Sequence, residues 1–148
     1  MTDLTFRPAQ KSDIPTLLDL YQIFDGDAPG LSLAAAETIF ARIETYPNYT
    51  VYLAEYADEI VGTFALLLMD NLAHQGMPEG IVENVVVAPQ MQGQGFGKAM
   101  MQYAMQLCAD AGCYKLVLSS NVKNERAHKF YESLGFEKYG FSFRVEII

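Results

Sequence analysis

Apolar residues recur along this chain with two different periods, and the switches between them divide it into elements. Residues 4–7 alternate as a half-buried strand does. Ile14, Leu17, Leu18 and Tyr21 then fall at helical spacing behind Ser12 and Asp13, which suit a helix cap, with Pro15 tolerated in the first turn. Residues 25–30 are loop by composition. Ser32 is placed to cap a second helix with Ala36, Ile39, Phe40 and Ile43 on one face, broken at Pro47 and Asn48. Residues 50–56 and 60–69 read as strands joined by a hairpin turn at Ala57, Asp58 and Glu59, and residues 74–78 as a loop. The run 81–87 is nearly continuously apolar, the pattern of a strand buried on both faces. Phe96, Met100, Tyr103, Leu107 and Ala111 make another helical stripe, ended by Gly112. Residues 115–119 form a further strand. Residues 124–133 form a helix with Ala127, Phe130, Tyr131 and Leu134 on one side, stopped by Gly135. In the tail Tyr139, Phe141, Phe143, Val145 and Ile147 alternate with Ser142, Arg144 and Glu146, which predicts a half-buried strand. The succession β-α-α-β-β-β-α-β-α-β predicts an α/β fold: a mixed sheet with helices on both faces.

Length and charge narrow the function classes. The 148 residues fit a single domain, 1–148. A net charge of −8 argues against a general nucleic-acid binder, which needs a basic footprint, and favours approach of a cationic partner. The longest apolar run, residues 64–69, is too short to cross a membrane, and the N-terminal stretch with Asp3 and Arg7 has no signal-peptide core, so a cytoplasmic protein without membrane partners is expected. Cys108 falls on the apolar side of its helix and Cys113 lies past its end; two cysteines without a nearby pair of ligands do not make a zinc site, and no metal is expected. Buried, reduced thiols are the expectation.

One junction carries chemistry. The β-branched run Val85, Val86, Val87 ends at Ala88-Pro89 and is followed by Gln92-Gly93-Gln94-Gly95-Phe96-Gly97-Lys98 and then a helix. Glycines let backbone N–H groups approach a ligand, and the helix presents its positive dipole end, so the junction suits an anion such as phosphate or serves as a tight turn. It is no P-loop: Gln92 stands where the first glycine belongs and Ala99 replaces the hydroxyl residue after Gly97-Lys98. Nor does it have dinucleotide-binding spacing, because Lys98 occupies the position of the third glycine.

What fits is Gln-x-x-Gly-x-Gly at Gln92, Gly95 and Gly97, preceded by Val87-Ala88-Pro89. This resembles the acyl-CoA loop of the GNAT family, the Gcn5-related N-acetyltransferases. A second stretch is similar to that family's later motif: Asn124, then Ala127, Phe130-Tyr131 and Leu134-Gly135-Phe136. The resemblance implies a sheet whose two central parallel strands, here 81–87 and 115–119, splay to admit acetyl-CoA. It implies that Val85, Val86 and Val87 pair with the pantetheine arm, that amides of Gly93, Gln94, Gly95, Phe96, Gly97 and Lys98 hold the pyrophosphate, and that Asn124 contacts the cofactor arm; Asn124 also fits a helix cap. An amine acceptor then attacks the thioester, a backbone N–H of Val86 or Val87 stabilises the oxyanion, and Tyr131 matches the acid that protonates the leaving thiolate, although its place on an apolar stripe also fits a core residue.

The base is open. The glutamate that some members carry before the asparagine helix is Ser119 here. Glu83 interrupts an apolar strand, where desolvation would raise a carboxylate's pKa toward that of a useful base; it equally fits a carboxylate that only binds the cationic amine. Asp25 and Asp27 add acidity in the preceding loop. His74 reads as a lone surface histidine and His128 as a solvated helix residue. The expected activity is acetylation of a small primary amine, with a protein N-terminus or lysine, or a non-catalytic acyl-CoA-binding module, as alternatives. The aromatic tail strand, at a chain end where the family often pairs subunits, suggests a homodimer.

Overall fold

The structure, a computed structural model, describes residues 3–148. Their contacts fall into two compact units, the first ending at Val117 and the second comprising Leu118–Ile148.

In the first unit, strands β1 (Leu4–Pro8), β2 (Tyr49–Tyr56), β3 (Glu59–Met69), β4 (Glu79–Val87) and β5 (Lys115–Val117) form one sheet in the order β1-β2-β3-β4-β5. All neighbours are antiparallel except β4 and β5, which are parallel, so the sheet is mixed as expected. Strand alternation sends Val51, Leu53 and Ala65 to one face, where they pack with Leu17 of helix α1 (Ile14–Asp25) and with Ile43 of helix α2 (Leu33–Ile43). Tyr52 and Phe64 point the other way and stack at 5.2 Å; Tyr103 of helix α3 (Phe96–Asp110) meets Tyr52 edge-on and stacks on Phe6 at 4.4 Å. Helices therefore cover both faces.

The buried side of α3 is rotated from the predicted stripe. Phe96, Met100, Met101, Ala104 and Cys108 are buried, whereas Tyr103 and Leu107 are half-buried and Ala111 is exposed. The aromatic and leucine positions drew the reading to the stripe's edge. Gly80 of β4 faces this side of the helix: a Cβ there would lie 2.4 Å from Cys108 Sγ, so the bare backbone leaves room for Cys108 against the sheet. Burial, with Cys113 as a secondary influence, pushes the Cys108 thiol up to about 12.

Two local expectations change. Asp13 does not cap α1 with its side chain. Its carboxylate accepts from the Gln10 N–H at 2.7 Å and holds Arg7 at 2.8 Å, while Arg7 Nε donates to Glu55. The hydrogen bond from Arg7 holds the Asp13 carboxyl below its usual range, and this cluster ties the end of β1 to β2 and to the start of α1. Ser32 does cap α2, accepting from the Ala35 N–H at 3.2 Å. The hairpin turn is tighter than read: Tyr56 pairs with Glu59, and Ala57 and Asp58 both take positive φ, the two-residue turn whose twist matches its strands.

The second unit carries helix α4 (Glu125–Ser133), closed by Gly135 at φ 97°, where Gly135 and Phe136 donate to the carbonyls of Glu132 and Tyr131. The tail strand predicted from Tyr139, Phe141, Phe143, Val145 and Ile147 is not formed: the tail has no regular secondary structure, and these side chains are 78–95% exposed. A strand needs a neighbour for its ladder and a face to bury against, and the pattern alone names neither.

Candidate functional site

The site is organised by β4 and the turn that follows it. Pairing with β3 shifts register between Thr63 and Ala65: Ala65 faces Glu83, but Thr63 faces Val86, so Asn84 and Val85 together oppose Phe64. Asn84 sits in this bulge at φ 53°, a left-handed conformation that asparagine tolerates better than most residues. The bulge breaks the expected two-sided burial of the strand. Val82 and Val86 are buried, Val85 and Val87 half-buried, and Glu83 and Asn84 exposed in succession. Glu83 is therefore exposed to water and not buried in the strand as expected. Its charge acts on Tyr49, whose phenol is pushed up chiefly by burial and secondarily by Glu83.

The parallel pairing of β4 with β5 stops early. Glu79, Gly80 and Ile81 pair with Lys115, Leu116 and Val117, and β4 then runs on through residues 82–87 with no further β5 partner among the described residues. The Ala88 N–H donates to the Val61 carbonyl at 2.8 Å. Alternation along an antiparallel ladder then turns the peptide groups of Val86 toward β3 and those of Val87 toward the open edge. Thr63, opposite Val86, is buried and donates its hydroxyl to the Tyr52 carbonyl at 2.8 Å.

The open edge leads into the glycine loop. Pro89–Met91 make a single 3-10 turn, and Gln92 Nε2 reaches back to the Val87 carbonyl at 3.3 Å. Gly93 and Gly95 take φ of 79° and 85°, the left-handed region; a Cβ on Gly93 would meet nothing within 4 Å. Gly95 is the N-cap of α3, and the first amide bonded back into the helix is Ala99, to the Gly95 carbonyl at 3.1 Å. The N–H groups of Phe96, Gly97 and Lys98 precede that bond at the positive end of a 15-residue helix. Gln92, Gly93, Gln94, Gly95 and Lys98 are exposed, Gly97 is half-buried and the Phe96 side chain is buried, so the loop offers backbone donors on an accessible surface anchored by Phe96.

In the second unit Asn124 is the N-cap of α4 and accepts from the Ala127 N–H at 3.1 Å, so its carbonyl oxygen caps while its amide NH₂ stays available. Tyr131 is half-buried between Phe130 and Phe136, with ring centroids 5.1 and 5.6 Å away, and burial pushes its phenol up. His128 is not solvated as read: it is half-buried and its ring nitrogen bonds the Asn121 carbonyl at 2.8 Å. His74 stacks on Tyr114 at 4.4 Å. Among the described residues no group of three or more His, Cys, Asp or Glu side chains is placed to hold a metal ion, and no helix is long and apolar enough to cross a membrane.

The sequence reading passed over an apolar pocket in the first unit. Ile14, Leu17, Tyr21, Leu31, Phe40 and Tyr49 line it together with Asn84. The only hint was the polar pair Glu83-Asn84 inside an apolar strand, which marks the bulge.

A mixed sheet with one parallel pair that parts early, and a glycine loop with helix-terminal amides at the far end of the same strand, are the arrangement that the resemblance to acyl-CoA-dependent transferases implied. A model of the acetyltransferase (GNAT) family matches residues 17–136, and the chain belongs to that family. It is 28% identical over 147 residues to a glucosamine 6-phosphate N-acetyltransferase of Trypanosoma brucei brucei, covering 99% of this chain and 98% of that one. It is 33% identical over 97 residues to an aminoalkylphosphonate N-acetyltransferase of Salmonella typhimurium, covering 66% of this chain and 62% of that one. A solved structure assigned to an acetyltransferase of Agrobacterium tumefaciens superposes with a TM-score of 0.91 at 32% identity, covering 96% of this chain and 99% of that one. The protein is an N-acetyltransferase of a family that takes its acetyl group from acetyl-CoA.

Proposed function

We propose that the protein transfers the acetyl group of acetyl-CoA to the primary amine of a small, cationic molecule. The observation that carries this reading is the unpaired edge of β4 at residues 82–87, running directly into the Gly93 to Lys98 turn. An extended pantetheine arm is an amide chain that can continue the missing ladder at Val85 and Val87, and the pyrophosphate suits the amides of the turn. Gln92 braces the turn on β4, and Asn124 is the proposed side-chain contact to the cofactor arm.

In the proposed reaction the amine nitrogen attacks the thioester carbonyl. A C–N bond forms and the carbonyl oxygen takes the charge. The Val87 N–H is the proposed oxyanion donor in preference to Val86, because ladder alternation directs Val86 toward β3. The C–S bond then breaks. Before the attack Glu83 attracts the ammonium and takes one proton, directly or through water; the second proton leaves the nitrogen after the attack and, by way of solvent, replaces the one Tyr131 gives up. Tyr131 returns a proton to the departing sulfur; its upward shift keeps it in the acid form at neutral pH. Because Glu83 is exposed, its first task is binding the cation. A homodimer and a cytoplasmic location complete the reading. The first is supported by the exposed apolar tail and the second by two free thiols.

The test is release of CoA thiol from acetyl-CoA in the presence of single amines, with an N-terminal peptide and a lysine peptide alongside. Turnover on small amines is expected. Turnover confined to peptides refutes the small-molecule reading, and binding of acetyl-CoA without any transfer refutes catalysis.

A further inference from the structure

The pocket beside the β4 bulge bears on what the acceptor looks like. It lies between α1, α2 and β2, and its lining is apolar apart from the Tyr21 and Tyr49 hydroxyls and the Asn84 side chain. No lysine or arginine lines it. Its volume is about 140 Å³, close to the roughly 150 Å³ of apolar cavities that take up benzene. Leu31 of the lining is 46% exposed, although leucine is a residue type that folding normally hides. Gln22 fixes the loop before Leu31 by donating to the carbonyls of Gly26 and Ala28 at 2.8 and 3.2 Å.

The pocket is also near the proposed reaction centre. Asn84, at its edge, precedes Val87 by three residues, about 10 Å along a strand. Tyr21 connects the two places: it lines the pocket and packs on the cluster of Leu20, Val86 and Ala88. Glu83 adjoins Asn84 in the strand, and its charge acts on Tyr49 of the lining. An amine held by Glu83 would thus have a benzene-sized apolar space within a short alkyl linker of its nitrogen, and no cation in the lining to receive a phosphate or phosphonate.

We propose that the acceptor is an arylalkyl or branched alkyl primary amine whose apolar group fills this pocket, and not a phosphorylated amino sugar or an aminophosphonate. The inference rests on the acetyltransferase reading and adds the substrate class. The closing experiment measures kcat/KM, by CoA thiol release, for phenethylamine, isopentylamine, ethylamine, glucosamine 6-phosphate and 2-aminoethylphosphonate, with the intact protein and with Leu31→Gln. Leu31 is 46% exposed, so the fold tolerates the change. Phenethylamine and isopentylamine are expected to lead, and Leu31→Gln is expected to lower the phenethylamine-to-ethylamine ratio about five- to tenfold, mainly through KM. Preference for either phosphorus-containing amine, or for ethylamine, overturns the proposal. So does a preference for the apolar amines that Leu31→Gln leaves unchanged, since the group then sits elsewhere. If no amine turns over while acetyl-CoA still binds, the acetyltransferase reading fails and takes this inference with it.

Discussion

Tyr131 and Glu83, the proposed acid and the proposed cation-binding base, are built differently. Tyr131 is half-buried between two aromatic rings, so Tyr131→Phe keeps the packing and removes only the transferable proton. Turnover should fall about 10²–10⁴-fold with acetyl-CoA affinity little changed; near wild-type turnover, with chemistry shown by burst kinetics to limit the rate, would make it a packing residue. For Glu83→Gln the two roles separate in the kinetics. Loss of cation binding raises KM for the amine, whereas loss of the base lowers kcat. Its exposure predicts the KM effect as the larger of the two, and a pure kcat effect would contradict that. Of these features the sequence showed the residue types and their order. It could not show that Glu83 faces water, because a strand reads as doubly buried when only the bulge at Asn84 turns two successive side chains outward.

At the scale of elements, the junction of β4 with α3 was legible because its signals are local: a β-branched run, Pro89, and glycines where φ turns positive. The edge of the α3 stripe was not, because contacts such as that of Cys108 with Gly80 come from a strand distant in sequence. Gly95 at φ 85° is the helix N-cap and lies in the proposed anion-binding loop, and a β-branched residue is strained there. Gly95→Val should lower acetyl-CoA affinity at least tenfold by calorimetry and also reduce thermal stability modestly, since an L-residue in this region costs about 1–2 kcal/mol. Full affinity in the variant would remove the loop from the cofactor site.

For the whole molecule, the order of elements through α4 follows the hydrophobic periods, whereas the tail does not, because a terminal strand is defined by what it pairs with. Phe141 and Phe143 are 85% and 95% exposed. A second chain is the proposed cover, so light scattering should give a dimer mass at micromolar concentration and Phe143→Glu should yield monomer; wild-type monomer would dismiss it. Stability has a defined alkaline limit. Burial is the leading cause that raises the phenols of Tyr21, Tyr49, Tyr52 and Tyr131. Their contribution is complete below about pH 10, the unfolded value, and is lost as pH rises through the folded values. Melting temperature should hold to that point and then drop, in step with tyrosinate absorbance. The same phenols make the pocket visible. The chain has nine tyrosines and no tryptophan, so nothing outshines tyrosine emission, and Tyr21 and Tyr49 line the cavity itself. An aromatic amine entering it changes the environment of two fluorophores at once, and the protein carries its own optical reporter of acceptor binding without a label.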